Sequence, residues 1–293
     1  MQARALASRR RAAYVAAMSL SPSLPGPADE TDSAASTLDR LAPALEEVMQ
    51  AAGALALSMF ATDLKTWTKG NNSPVTEADL AVNRLLQARL AALDPAIGWL
   101  SEESVDNADR LAARRLWVVD PIDGTRGFMA GSPDWAISVA LVEDGAPALA
   151  ALFAPVSAEL FLARRGHGAT RNGSPLRIAA RAALAGARAA GPTPILDRLA
   201  RAAAIVRLPR GRSLALRLAR VATGEIDVAI AGDAANDWDL AAADLIAAEA
   251  GGSLTTFTGA PVRYNAPVPR HPPLVCAGGG LHPAAVAALR ADP

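Results

Sequence analysis

The run Leu116–Phe128, LWVVDPIDGTRGF, constrains the fold more than any other stretch of the chain. Four apolar residues, Leu116–Val119, read as a buried strand that ends in the carboxylate of Asp120. Pro121 has no N–H to give to a ladder, so regular pairing stops there, and Asp123 follows before Gly124-Thr125. Both carboxylates are therefore expected at the mouth of a sheet. Asp123-Gly124 read as a plain turn, with Asp120 capping it, is the simpler alternative. Thr125 adds a further constraint, because Gly-Thr opening a helix offers N–H groups and a hydroxyl to an anion such as phosphate. Carboxylates beside an anion repel it, and the arrangement makes physical sense when cations sit between them.

With 293 residues, 51% of them hydrophobic, the chain can bury a large core. Its 29 Lys+Arg and 29 Asp+Glu balance to a net charge of zero, so no overall field draws it to a nucleic acid polymer or an anionic membrane. A small soluble partner is expected. Cys276 is the only cysteine, which excludes an intrachain disulfide and a thiolate metal site and fits a reducing, cytoplasmic setting. Residues 1–36 carry Arg9, Arg10 and Arg11, a short apolar patch and a Ser/Pro/Gly stretch. The patch is too short for a secretory signal, so a disordered extension is expected, with Met18 an alternative start.

Beyond it, apolar spacing predicts a helix from Thr37 to about Leu64 and another starting near Thr76. Short strand-like runs follow up to Ala179, with Asn172-Gly173 marking a hairpin, and read as a largely antiparallel sheet. From Ala180 the pattern becomes Ala-rich helices alternating with the strands EIDVAIAG, SLTTF and PLVCAG, an α/β arrangement. Two subdomains are expected, 37–179 (α+β) and 180–293 (α/β), with a site between them.

Other carboxylates occupy similar positions. Glu102 and Glu103 follow GWLS, where a solvated loop is the plain reading; Asp79 follows Thr76 by three residues, as in a capping box; Asp239 lies in the first turn of an apolar helix, where the dipole favours it. Each plain account is adequate singly, but together with Asp120 and Asp123 they make five positions, the Glu102-Glu103 pair counted as one, that put carboxylates at element ends in an apolar context. The donor set is all oxygen, which selects Mg²⁺ or Mn²⁺ over zinc. Two such ions about 3.5–4 Å apart would bind a phosphate ester, activate water and stabilise the leaving alkoxide. The expected chemistry is phosphomonoester hydrolysis.

In order along the chain, SPVTEAD, WLSEES, VVDPIDGT, GHGATRNG and NDWDLAAADLIAAEAGG resemble the motifs of the inositol monophosphatase superfamily of Mg²⁺-dependent, typically lithium-sensitive phosphatases. The resemblance runs from about Thr37 to the C-terminus and implies a layered αβαβα sandwich built from an α+β half and an α/β half. It implies metal ligands at Glu102, Asp120, Asp123, Asp239 and the main-chain oxygen of Ile122, two or three ions per site, and a water-orienting pair in Asp79 and Thr125. Asp79 would also touch a further ion, and Glu103 is a candidate catalytic group beside the ligand Glu102. Substrate contacts are expected from Gly124, Thr125, Arg126, Arg212, Ser213 and Asp239, and the family occurs as monomers or homodimers.

Within the superfamily, KGNNSPVTEAD, Arg126 and SVALVEDGAPALAALFAPVSAELFLA resemble bacterial 3'(2'),5'-bisphosphate nucleotidases of the CysQ type. Gly232 stands where inositol-phosphate members often place a Glu, and Gly127 stands where nucleotidases commonly have one. The implied reaction converts 3'-phosphoadenosine 5'-phosphate to AMP and phosphate. Inositol 1-phosphate, or another small sugar or polyol phosphate, is the alternative substrate. Arg210, Arg212 and Ser213 could meet a second phosphate or form a solvated basic turn; Phe128 and Trp135 could line a base pocket or pack inside. A haloacid-dehalogenase-type enzyme is disfavoured because its usual spacing is Asp-x-Asp, and a non-enzymatic metal-binding scaffold is disfavoured because Asp79 and Thr125 are both present.

Overall fold

Apolar alternation in the strands and 3.6-residue spacing in the helices sort the side chains into three separate cores. The computed structural model describes residues 30–62, 64–68, 74–178, 180–233 and 235–290. Helix α1 (Glu30–Met59) is followed by the short strands β1 (Thr66–Thr68) and β2 (Pro74–Thr76), then α2 (Glu77–Leu93) and β3 (Gly98–Ser101). After a 3-10 turn at Ala108–Ala112 come β4 (Arg115–Asp123), α3 (Thr125–Met129), β5 (Ala136–Glu143), β6 (Ala146–Ala154), β7 (Glu159–Arg164), β8 (Ala169–Arg171) and β9 (Ser174–Pro175). The remainder is β10 (Arg188–Ala190), α4 (Thr193–Ala202), β11 (Val206–Arg207), α5 (Leu214–Ala222), β12 (Val228–Ala231), β13 (Ala235–Asn236), α6 (Asp237–Glu249), β14 (Gly252–Thr256), β15 (Arg270–His271), β16 (Leu274–Gly278) and α7 (His282–Arg290).

Strands β3 to β9 form a seven-stranded sheet in chain order, and five further strands form a second sheet in the order β11-β10-β12-β16-β14. In the first sheet only β3 and β4 run parallel. Helices α1 and α2 cover one face, packing Leu41, Leu45, Leu86 and Leu90 against Trp117, Val119 and Val139. The opposite face meets α5 and α6, whose other side packs on Ala229, Ala231 and Cys276 of the second sheet. The outer face of that sheet, with Val228, Ile230 and Val275, is closed by Leu196 and Leu199 of α4 and Ala285 and Leu289 of α7. The result is the αβαβα sandwich. The seven-stranded sheet lies before Ala180 and the five-stranded sheet after it, within one compact unit, Leu38–Pro293.

Several local expectations are met. Thr76 caps α2, accepting from the Asp79 amide while the Asp79 carboxylate accepts from the Thr76 amide. Asn172 (φ +50°) and Gly173 (φ +76°) form the two-residue turn between β8 and β9. The first helix stops at Met59, short of Leu64, and begins at Glu30. The expected extension over residues 1–36 therefore falls partly on this helix and otherwise on residues 1–29, outside those described. The sequence reading missed the β1–β2 hairpin, and missed β10 because it lies in an Ala-rich run. Among the described residues no helix is long and apolar enough to cross a membrane.

Candidate active site

Residues three apart on a regular strand point to opposite faces, yet Asp120 and Asp123 act together. The ladder between β4 and β5 explains this. Asp120 pairs with Ser138 and Asp123 with Ala136, so three steps on β4 oppose two on β5, a bulge over Pro121 and Ile122. The bulge re-phases the strand, and both carboxylates join the face that Leu116 and Val118 present to the central helical layer. Asp239 arrives from that layer at the third position of α6. The α6 start is seated against β5 by Ser138, whose hydroxyl donates to the Trp238 carbonyl at 3.1 Å. Single carboxylate oxygens of Asp120, Asp123 and Asp239 all lie within 4.8 Å of one another.

Each carboxylate is held at one oxygen and left available at another. Asp239 accepts from the Asn236 amide at 2.6 Å. Asp123 accepts from the Ser213 hydroxyl and, at 2.7 Å, from the Ala215 amide at the start of α5. Asp120 Oδ1 accepts from the Ile122 amide at 3.0 Å, whereas its buried Oδ2 has no hydrogen-bond partner among the described residues. Burial, followed by the charges of Glu102, Asp123, Asp239 and Asp79, pushes the Asp120 carboxyl far above the usual carboxylate range. Asp239 is driven the same way by burial and Asp123. Burial also raises Asp123 to about 6, partly offset by the Ser213 and α5 hydrogen bonds.

Asp79 and Thr125 meet beside this cluster. Thr125 Oγ1 lies 3.3 Å from Asp79 Oδ1 and 3.1 Å from the Ile122 carbonyl, so its single proton has two acceptors in reach. Asp79 Oδ2 takes hydrogen bonds from the Thr76 amide and hydroxyl at 2.8 and 2.6 Å. Burial raises its carboxyl to about 6 against these bonds. Gly124, at φ +94°, makes the left-handed turn into α3; a Cβ there would lie 2.9 Å from the Asp134 carbonyl oxygen and 3.2 Å from the Ser213 amide nitrogen.

Asp120, Asp123, Gly124, Thr125 and Asp239 share a cleft of ≈ 450 Å³ with Glu102, Ile122, Arg126, Arg210, Arg212, Arg217 and Gly232, and Asp79 reaches it through Thr125. Glu103 faces elsewhere, into a neighbouring cavity with Trp99, Ser104 and Asn107. Ser213 is 1% exposed, its hydroxyl directed at Asp123, while Arg212 reaches the cleft and donates its amide to the Asp134 carboxylate. Phe128 and Trp135 are core residues: their rings pack edge-on at 4.9 Å and both meet Phe60, contacts worth about 0.5–1.5 kcal/mol each beyond area burial. Neither ring lines the cleft with the acidic cluster; Phe128 borders a separate cavity of ≈ 190 Å³ with Thr66, Thr76 and Met129. Arg217 escaped the sequence reading. It interrupts an apolar helix face, four residues after Ser213, and that break was the available signal. It is 5% exposed, donates to the Arg210 carbonyl at 2.9 Å, and leaves its buried Nε without a partner among the described residues. Burial and Arg210 lower its pKa to about 10.

Comparison with known proteins places this cleft in a family. The model of the inositol monophosphatase family matches residues 37–291. The chain is 38% identical over 207 residues to an inositol-1-monophosphatase of Rhizobium meliloti (strain 1021), covering 67% of this chain and 77% of the relative. It is 32% identical over 233 residues to the 3'(2'),5'-bisphosphate nucleotidase CysQ of Aggregatibacter actinomycetemcomitans, covering 75% and 85%. The extragenic suppressor protein suhB of Bartonella henselae superimposes with a TM-score of 0.74 at 26% identity, over 86% of this chain and 98% of that one. The chain belongs to the inositol monophosphatase family, whose members hydrolyse phosphate monoesters.

Proposed function

We propose that this chain is a Mg²⁺-dependent phosphatase of 3'(2'),5'-bisphosphate nucleotides, with 3'-phosphoadenosine 5'-phosphate as the substrate. The donor set fits the ion. Every candidate ligand atom is an oxygen, Asp120 Oδ2 is buried without a hydrogen-bond partner among the described residues, and burial, followed by the neighbouring carboxylates, disfavours the charged forms of Asp120 and Asp239, a penalty that a cation relieves. Glu102, Asp120, Asp123, Asp239 and the Ile122 carbonyl would hold the ions, with Asp79 beside them. Bound divalent ions supply the positive charge that admits a phosphate ester among these carboxylates and acidifies water for attack.

The chain's own groups do the rest. Thr125 donating to Asp79 leaves its hydroxyl oxygen free to accept a hydrogen bond from a water; as the water gives its proton to Thr125, the Thr125 hydroxyl proton passes to the Asp79 carboxylate, which becomes neutral. Thr76 fixes the far oxygen of Asp79, so the near one stays aimed at Thr125. Gly124 and Thr125 line the cleft where a phosphate would rest.

The observation that carries the choice of substrate is Arg217. A buried guanidinium whose Nε has no partner among the described residues, lining the same cleft as Arg126, Arg210 and Arg212, supports a substrate with a second anionic group. Inositol 1-phosphate has only hydroxyls beyond its phosphate, and Gly232 lines the cleft without a side chain to meet them. The 38% identity to an inositol-1-monophosphatase supports that substrate as the second reading. Phosphate release with Mg²⁺, measured for both compounds at equal sub-saturating concentration, separates them. The bisphosphate nucleotide is expected to be strongly preferred, and Arg217→Met to lower its kcat/KM about 10–100-fold while sparing p-nitrophenyl phosphate. A preference for inositol 1-phosphate would overturn the nucleotide reading.

A further inference from the structure

The start of α6, which carries Asp239, is tied down by a strap running from Tyr264 to His271. Asp237, two residues before Asp239, is fully buried and has both carboxylate oxygens occupied by this strap. Oδ1 meets His271 Nε2 at 2.6 Å, and Oδ2 accepts from the Asn265 amide at 2.8 Å. The Asp237 amide donates to the Pro269 carbonyl at 3.0 Å, and β13 pairs with β15 through Ala235–His271 and Asn236–Arg270. Further along α6, Asp244 accepts from the Tyr264 hydroxyl at 2.8 Å.

The same strap is bound to the segment that carries Glu102. Arg110, 4% exposed, lies in the 3-10 turn that follows β3 and the Glu102-Glu103 corner. Its guanidinium reaches the Asn265 side chain at 2.7 Å, the Ala266 carbonyl at 3.1 Å and the Pro267 carbonyl at 3.3 Å, and its carbonyl accepts from Asn265 Nδ2 at 3.0 Å. Asp106 fixes the guanidinium from the other side at 2.6 and 2.9 Å. Asn265 takes φ +63°, a left-handed turn that lets its amide and side chain serve Asp237 and Arg110 together.

We infer that Asp237 is a positioning residue for the cation site: through Asn265 and Arg110 it sets Asp239 on α6 against the β3 corner that carries Glu102. Neither Asp237 nor Arg110 belongs to the acidic cluster itself. The role follows from geometry, since carboxylates from separate elements bind one ion well only when their supports are mutually fixed. The inference rests on the divalent-cation reading above.

Mn²⁺ binding to chelator-treated protein, measured by titration calorimetry without substrate, tests it. Asp237→Ala is expected to raise the Mn²⁺ dissociation constant about 10–100-fold and the half-saturating Mg²⁺ for phosphate release in parallel, with kcat at saturating Mg²⁺ retained. Asp237→Asn, which keeps an acceptor for the Asn265 amide and turns an amide donor to His271 Nε2, a bond that the Nδ1–H tautomer of His271 accepts, is expected to stay near wild type. If Asp237→Ala does not fold, His271→Ala is read in the same way with a smaller rise. A variant that melts earlier but binds Mn²⁺ with unchanged affinity would overturn the inference alone. Wild-type protein that binds no Mn²⁺ would overturn the cation reading and the inference with it.

Discussion

Asp120 occupies a position where stability and function pull apart. Its carboxylate is buried, has an oxygen without a hydrogen-bond partner among the described residues and is surrounded by Glu102, Asp123, Asp239 and Asp79, each of which disfavours its charge. Asp120→Asn removes that repulsion in nearly the same volume. The metal-free variant is expected to be more stable than wild type by about 1 kcal/mol, a rise of about 2–4 °C in Tm, while hydrolysis falls about 100-fold or more. Thermal melts in chelator together with phosphate release read both quantities; a variant that melts earlier than wild type in chelator contradicts the account. At this scale much was legible in the sequence. Asp79, Asp120, Asp123 and Asp239 could be identified because each follows a strand end or opens a helix. Asp237 was not singled out, because its partner His271, which reads from the sequence as a surface or turn residue, lies 34 positions away, and Arg217 was not, because it meets a main-chain carbonyl, that of Arg210, which no residue type announces. That Ser213 would turn its hydroxyl on Asp123, 90 positions away, was equally invisible from spacing.

Elements converge on the site at places where no side chain fits. Gly127 is in α3, and a Cβ there would lie 2.6 Å from the Asp134 carbonyl oxygen and 3.4 Å from two side-chain atoms of Arg212. Backbone is the obstacle, so something must shift. Gly127 is also the position at which the chain departs from the nucleotidase pattern, and the close approach of the 132–135 segment and the 210–213 loop gives that departure a steric reason. Gly127→Ala is expected to destabilise the fold by about 1–3 kcal/mol and to lower kcat/KM by moving Thr125 and the arginine loop together. Denaturant melts and initial rates test this; wild-type values in both would mean that the segments slide apart without cost. Helices and long strands were readable here because their periodicity is local. The short strands β1, β10 and β11 were not, since two or three residues hold no period and their pairing comes from partners elsewhere. The bulge in β4 was half legible: Pro121 announced a break, but only the register with β5 shows that Asp120 and Asp123 share a face.

Across the whole molecule, buried carboxylates give the protein an unusual dependence on pH. Burial raises Asp79 and Asp123 to about 6 in the fold from an ordinary 3.8, and it drives Asp120 and Asp239 upward as well. A folded state with raised carboxyl pKa values binds more protons than the unfolded chain, so this set contributes most below 3.8 and its contribution is lost as pH rises through about 6. Asp227, held low by Arg188, works in the opposite sense, its contribution lost as pH falls below 3.8. Asp244 also rises to about 6, but it is bonded to Tyr264 and lies outside the acidic cluster, so a cation leaves its share unchanged. In chelator, stability should therefore decline between about pH 4 and pH 7, the reverse of ordinary acid denaturation. A divalent ion compensates the charges that cause most of the decline. The gain in Tm on adding Mg²⁺ should accordingly grow with pH across that window and shrink in Asp120→Asn. Melts at several pH values, with chelator and with Mg²⁺, decide the matter, and a gain that stays flat with pH would show that the ion does not bind among these carboxylates.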